Sequence, residues 1–281
     1  MLRALLTPRW LGALLLSALF AVAAYHLGHW QYGKHVAKVE RNERISAHFG
    51  AAPVPVGSVL TSSPVPIAQE WTHVSATGTY GQAKLVARGR PLDKQVGYEV
   101  LAPFRLASGA TVLIDRGWIP LGDKGAAEVP AYAAPPPGEV TLTGWVRQGE
   151  KARHSSATAG TIASINLPEA AQKFGTPLLG GYVQLEADTP AATAGDALVP
   201  QPLGKPDRSL GPHQAYAYQW WTSMPLGFIL MFFGLRREAA EGRAERGAGE
   251  APSGAGAGAA RTPAPKPPRP KKTRIWDEED A

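Results

Sequence analysis

Residues 212–235 read PHQAYAYQWWTSMPLGFILMFFGL. A histidine, glutamines, tyrosines and tryptophans crowd the entrance of an apolar run that carries no charge and stops at Arg236-Arg237. A soluble core helix scatters such amphipathic residues, whereas a membrane helix gathers them where hydrocarbon meets water. The stretch is therefore read as a transmembrane helix over 212–235. The basic residues behind it, Arg236, Arg237, Arg243 and Arg246, place the C-terminal segment on the cytoplasmic side. Pro225, inside the run, cannot donate a backbone hydrogen bond and predicts a kink.

A second apolar run stands near the N-terminus, WLGALLLSALFAVAAYHLG from Trp10 to Gly28. At ~1.5 Å per residue it reaches about 27 Å, close to the ~30 Å hydrocarbon core of a bilayer. Trp10 and Trp30 bracket it. Arg3 and Arg9 with Ala21-Val22-Ala23 would also suit a cleavable leader, but the apolar core is longer than the ~7–15 residues such leaders use. A retained transmembrane helix over 10–29 is expected, after a short cytoplasmic N-terminus at 1–9. With two spans both termini share the cytoplasmic side, and residues 30–211 lie outside it. Two helices cannot enclose a transport path, so the expected class is an α+β membrane protein: two transmembrane helices flanking a mainly antiparallel β extracytoplasmic domain. A membrane segment starting at about residue 10 leaves no room for a mitochondrial presequence, which points to a bacterial cell (plasma) membrane.

Within 30–211, QYGKHVAKVERNERISAHF continues the first helix into solvent, with charges of alternating sign. GAAPVPVGSVLTSSPVPIAQ is a loop, after which the hydrophobic period becomes two. Val140, Leu142, Gly144 and Val146 share one face of EVTLTGWV; Val183, Leu185 and Ala187 share one face of GYVQLEA. WTHVSATGTY, AKLVARG, VGYEVLAPF, TVLIDRGWI and TIASIN add strands between Gly/Pro/Asp turns. One short helix is expected at NLPEAAQKFG, capped by Asn166, boxed by Glu169 and stopped by Gly175. Tyr80, Tyr98 and Trp145 read as core, and Arg88 and Arg90, around Gly89, as solvated charges of a hairpin or loop.

Residues 236–281 form an Ala/Gly/Pro-biased tail expected to be a disordered cytoplasmic segment. Its basic run RTPAPKPPRPKKTR has no aromatic interleaving, so no nucleic-acid interface is expected. The chain has no cysteine, which excludes disulfides, zinc thiolate sites, iron–sulfur clusters and cysteine nucleophiles. None of the sequence signatures of serine hydrolases, P-loops, zinc proteases or calcium loops occurs. His154, with Ser155 and Ser156 beside it, and His73 have no indicated catalytic partners, so no enzyme is expected.

Three histidines fall at the outer membrane edge: His26 and His29 at the end of the first span, His213 at the start of the second. All three suit an interfacial belt. His213 has a further feature. Pro212 suits the first helical position, which puts His213 in the first turn beside free N–H groups able to receive an anion. A neutral imidazole is the form that ligates a metal. His213, Tyr216 and Trp220 fall on one face at helical spacing, a nitrogen ligand above flat aromatic surface. Those residue types permit a haem without demanding one.

Together LGHWQYGK (27–34), GTY (78–80), GRPLDKQVGYEVLAPF (89–104), VLIDRGWIP (112–120), GWVR (144–147) and HQAYAYQWW (213–221) resemble the SURF1 family of cytochrome c oxidase assembly proteins. The resemblance spans most of 27–237. Lys34 stands where the family usually has Arg, and an ammonium cannot make a forked bidentate contact. The resemblance implies a role in assembling a haem-copper (aa3-type) oxidase. It implies transient binding of haem a, with His213 as metal ligand, and insertion into cytochrome c oxidase subunit I. Haem a synthase and the lipid bilayer would be further partners. Tyr216, Trp220 and His29 would flank the cofactor, and Arg116 would meet a propionate or a partner carboxylate. Arg116-Gly117-Trp118 equally suits a strand end, with Asp115 as a local ion-pair partner. A scaffold that stabilises oxidase assembly intermediates without touching cofactor remains the alternative.

Overall fold

The computed structural model describes residues 5–126, 128–153, 159–193 and 197–249. In chain order the elements are α1 (Pro8–His48), β1 (Val54–Pro55), β2 (His73–Tyr80), β3 (Leu85–Leu92), β4 (Gln95–Leu106), β5 (Thr111–Pro120), β6 (Glu139–Arg147), β7 (Thr161–Ile162), α2 (Leu167–Phe174), β8 (Tyr182–Thr189), α3 (His213–Ser223) and α4 (Leu226–Gly249). They form two compact units. Residues 22–224 make the larger one; residues up to 21 and from 225 onward make the smaller.

The apolar run and the charged stretch after it form one helix, as their joint lack of proline predicts. Pro8 opens α1, where its missing N–H costs nothing, and the Thr7 carbonyl accepts from Trp10 and Leu11. Among the described residues α1 is the one helix long and apolar enough to cross a membrane, by length and composition.

The larger unit is built on an eight-stranded sheet in the order β1-β2-β6-β8-β5-β4-β3-β7, closed into a barrel by pairing of β2 with β4. The 12-residue β4 makes closure possible. Gln95–Leu101 pairs with β3, while Phe104–Leu106 pairs with β2. Most neighbours are antiparallel, as expected, but β1–β2, β3–β7 and β5–β8 are parallel. Val74, Phe104, Val112, Ile114, Val140, Leu142, Val146 and Val183 form one core. A second cluster contains Leu85, Leu101, Leu113 and Ile162, with Ala170 of α2 and Tyr182. Alternation along β5 explains the division, since Val112 and Ile114 join the first cluster and Leu113 the second. Tyr80, Tyr98 and Trp145 are buried, as expected.

Two local features differ from the sequence reading. The hairpin is not at Arg88-Gly89-Arg90, which forms a bulge inside β3. It falls at Asp93-Lys94, both with positive φ, between Leu92 and its partner Gln95. That is the backbone a two-residue primed turn demands, from residues other than the usual Asn-Gly. Helix α2 starts and stops where expected: Asn166 Oδ1 accepts from Glu169 N at 3.1 Å and Gly175 is left-handed. The box does not close, because Asn166 N donates to the Ser164 carbonyl instead.

The second apolar run is interrupted at Met224-Pro225. α3 ends at Ser223, and α4 begins after Pro225. The Trp221 carbonyl, which proline cannot serve, takes Met224 N at 3.4 Å. Hydroxyls of Thr222 and Ser223 cover the carbonyls of Tyr218 and Trp220. In the smaller unit, Trp10 Nε1 donates to Glu238 at 2.8 Å, and Gly227 leaves room for Ser17. α4 runs on to Gly249, so an irregular tail does not begin at residue 236. The compositional reading grouped alanine, a strong helix former, with glycine and proline. No proline occurs between Pro225 and Pro252, and Arg237 pairs with Glu241 one turn on. Residues 250–281 lie outside the described residues.

Candidate functional site

The start of α3 packs against the middle of α1 within the larger unit. Ala24 and Ala217 are fully buried. A Cβ at Gly28 would overlap the Trp221 ring, so the glycine is what admits the indole. Trp221 is bracketed by His29, Tyr32 and Tyr218, with centroids 5.4, 5.7 and 5.9 Å away. Its Nε1 has no hydrogen-bond partner among the described residues.

Pro212 is the cap rather than the first helical residue. Its carbonyl accepts from Tyr216 N, and His213 opens the helix. His213 Nδ1 lies 2.9 Å from Gln31 Oε1. A carboxamide oxygen only accepts, so a neutral His213 ring would donate from Nδ1 and keep the lone pair on Nε2. Gly211, at φ +63°, turns the chain into the helix; a Cβ there would sit 3.9 Å from His213 Nε2. His29 has the same polarity, its Nδ1 meeting the Tyr25 carbonyl at 3.2 Å.

A strap leads into this turn. Arg41, Asn42 and Lys38 of α1 donate to the carbonyls of Asp207, Arg208 and Ser209 at 2.7, 2.6 and 3.3 Å. Polar residues that read as a solvated face therefore hold an extended segment that has no sheet partner. Trp30 is exposed, with Lys34 Nζ 4.6 Å from its ring centroid.

The expected residues separate into two groups. His213 and His29 both belong to the contact of α1 with α3, where Trp221 touches His29 and Gln31 touches His213. Trp220 is half-buried on α3, and Tyr216 is 46% exposed. The face toward α1 is set by Ala217 and Trp221, so Tyr216 stands beside it rather than within it. Among the described residues His26, His29 and His213 do not form a three-ligand metal cluster. Gln31 and Trp221 were missed as site residues. The signal for them was the pairing of small Gly28 with a tryptophan-rich partner helix.

Arg116 is elsewhere, 5% exposed in the barrel. Its Nη1 and Nη2 donate to the carbonyls of Ala133 and Ala134 at 2.9 and 3.3 Å. The cavity beside it holds about 30 Å³, room for one water rather than a propionate. Burial lowers its pKa, opposed by Tyr80 and Asp188. It does not pair with Asp115, since successive strand residues face opposite ways. Asp115, 1% exposed, accepts from Gly117 N at 3.1 Å, and burial holds its carboxyl well above the usual range. Gly117 is required because a Cβ would overlap the carbonyl of Gln201, which forms an isolated bridge with Trp118. Arg90 is not solvated either; it holds Glu99 and Glu150, both at 2.6 Å. Burial raises Glu99 beyond what Arg90 offsets. In the less buried Glu150 burial also raises, but Arg90 and the Ile165 N–H outweigh it and the pKa falls.

His73 is fastened between the Ala51 carbonyl at 2.9 Å and Glu186 at 2.8 Å, and stacks on Trp145 where α1 meets the barrel. His154 lies outside the described residues.

A family model described as the SURF1 family matches residues 18–223. Uncharacterized SURF1-like proteins of Mycobacterium bovis and Mycobacterium tuberculosis are 32% identical over 230 residues, 77% of this chain and 79% of each relative.

Proposed function

Because the chain belongs to the SURF1 family, we propose that it is a membrane-anchored assembly factor for a haem-copper cytochrome c oxidase of aa3 type. In this reading it takes haem a as cargo at His213 and passes it to subunit I, with haem a synthase as the source. The observation that carries the reading is the His213–Gln31 bond, which commits Nδ1 and leaves Nε2 to ligate. Gly211 supplies the positive-φ turn into the helix, and Lys38 Nζ lies on the same side of the ring, 3.3 Å from where a Cβ at Gly211 would stand. Trp220 and the exposed Tyr216 supply flat surface on the same helix, and His29 stands one turn across on α1. Arg116 stands apart from His213, with its Nη1 and Nη2 on the carbonyls of Ala133 and Ala134 inside the barrel.

The same reading places α1 across the cell membrane, with the broken α3–α4 segment as the second span. Both termini are then cytoplasmic and the barrel lies outside. Tyr25, Trp30, Tyr32, Tyr216 and Tyr218, all exposed, suit the interfacial belt that this places at the outer leaflet. The chain itself performs no bond chemistry here: it holds, orients and releases.

Disruption of the gene in its own host should lower the spectroscopically assembled oxidase. The wild-type gene should restore it and His213→Ala should not. Full restoration by His213→Ala, with oxidase subunits still co-purifying, would replace this reading by a scaffold that holds assembly intermediates without cofactor.

A further inference from the structure

We infer that Gln31 is the positioning residue that decides which nitrogen of His213 is offered to a ligand. The inference deepens the reading of His213 as the cargo ligand and rests on it for its second half only; the first half concerns the protein alone.

A neutral imidazole has two tautomers, and free histidine favours the proton on Nε2. That form would present Nδ1, the nitrogen crowded by the ring's own attachment to the backbone. Which tautomer a protein holds is set by the hydrogen bond the other nitrogen makes. Here the partner is Gln31 Oε1 at 2.9 Å, an atom that can only accept. The contact therefore selects Nδ1–H and frees Nε2, the nitrogen that projects furthest from the chain.

Two separate restraints make the contact durable. The backbone of His213 is fixed by the cap at Pro212 and by the strap that Lys38, Arg41 and Asn42 hold through carbonyls 207–209. Among the described residues, the ring's hydrogen bond is the one to Gln31. Gln31 itself is placed one turn beyond Gly28, where the indole of Trp221 brings α3 close to α1. Partners of this kind orient a metal-binding imidazole and raise its basicity, and their removal typically lowers metal affinity ~10–100-fold.

The test uses the full chain in lipid nanodiscs, labelled with ¹⁵N-histidine and prepared from a host that makes no haem a. The His213 signals are identified by their loss in His213→Ala. Wild type should show His213 with its proton on Nδ1. Gln31→Leu should lose that state, and Gln31→Glu, which keeps an acceptor oxygen, should restore it. A proton on Nε2 in the wild type, with the amide turned over to donate, overturns the inference; so does an unchanged Nδ1–H signal in Gln31→Leu. From a host that makes haem a, Gln31→Leu should retain ~10-fold less haem than wild type. Gln31→Glu should retain it with a lower reduction potential. The expected tautomer pattern with no haem in any preparation would uphold Gln31 as the orienting partner and overturn the cargo reading.

Discussion

Replacing Gly28 by alanine tests the closeness of α1 and α3, on which the geometry at His213 depends. The added Cβ would overlap Nε1 and Cδ1 of Trp221 and lie 2.8 Å from Cε2, so a rigid ring rather than a flexible tip must give way. The ring has little room, with His29, Tyr32 and Tyr218 around it. Overpacking of this kind costs ~1–3 kcal/mol, and the better helix propensity of alanine returns ~1 kcal/mol. The net expectation is a loss of ~0–2 kcal/mol, at ~2–4 °C of Tm per kcal/mol in a unit of this size. The more telling readout is His213. Displacing Trp221 shifts α3 against α1, so the Nδ1–H signal of His213 should weaken even where the melt barely moves. Thermal unfolding in detergent and ¹⁵N-histidine spectra of one preparation measure both. A Tm raised by the full propensity gain, with the His213 signal intact, would refute the close approach.

Other consequences arise from the barrel. Arg90→Met strands Glu99 and Glu150, whose side chains are only 11% and 30% exposed. Breaking such a buried pair costs ~3–5 kcal/mol, and a melt within ~2 °C of wild type would contradict the pairing. Asp115 binds its proton more tightly folded than unfolded, because burial raises its pKa. Its contribution is therefore present below the unfolded value of ~3.9 and is lost as pH rises above it. Asp115→Asn should flatten the decline in unfolding free energy from that point toward neutrality; parallel slopes would refute it. Asn166→Ala should remove ~1 kcal/mol through the cap on α2, and Asn166→Asp should keep it; equal denaturant midpoints for all three would show the cap to be idle.

What the sequence showed and hid can be traced to the range of each interaction. The strands, the continuous α1 and the limits of α2 depend on periodicity and on caps within a few residues, so they were legible. The two-residue turn at Asp93-Lys94 was hidden by the more conspicuous Arg88-Gly89-Arg90, which became a bulge. Barrel closure through the far end of β4, and the parallel pairing of β5 with β8, are long-range choices that a single strand does not reveal. In the candidate site, His213 was singled out from its place at a helix start, and it does open α3. Gln31 was not, because its role depends on a partner 182 positions away. Arg90 was read from charge as a solvated group, but its side chain pairs with Glu99 and Glu150; Arg116, read either as part of a strand end or as a propionate or carboxylate contact, donates to barrel carbonyls.

The central claim is that His213 holds haem a. The most direct test is the absorption spectrum of wild type and His213→Ala purified from the same haem-a-producing cells. The expected result is a low-spin haem a spectrum in wild type that is largely lost in the variant at equal protein yield. Equal haem occupancy in the two preparations would contradict it.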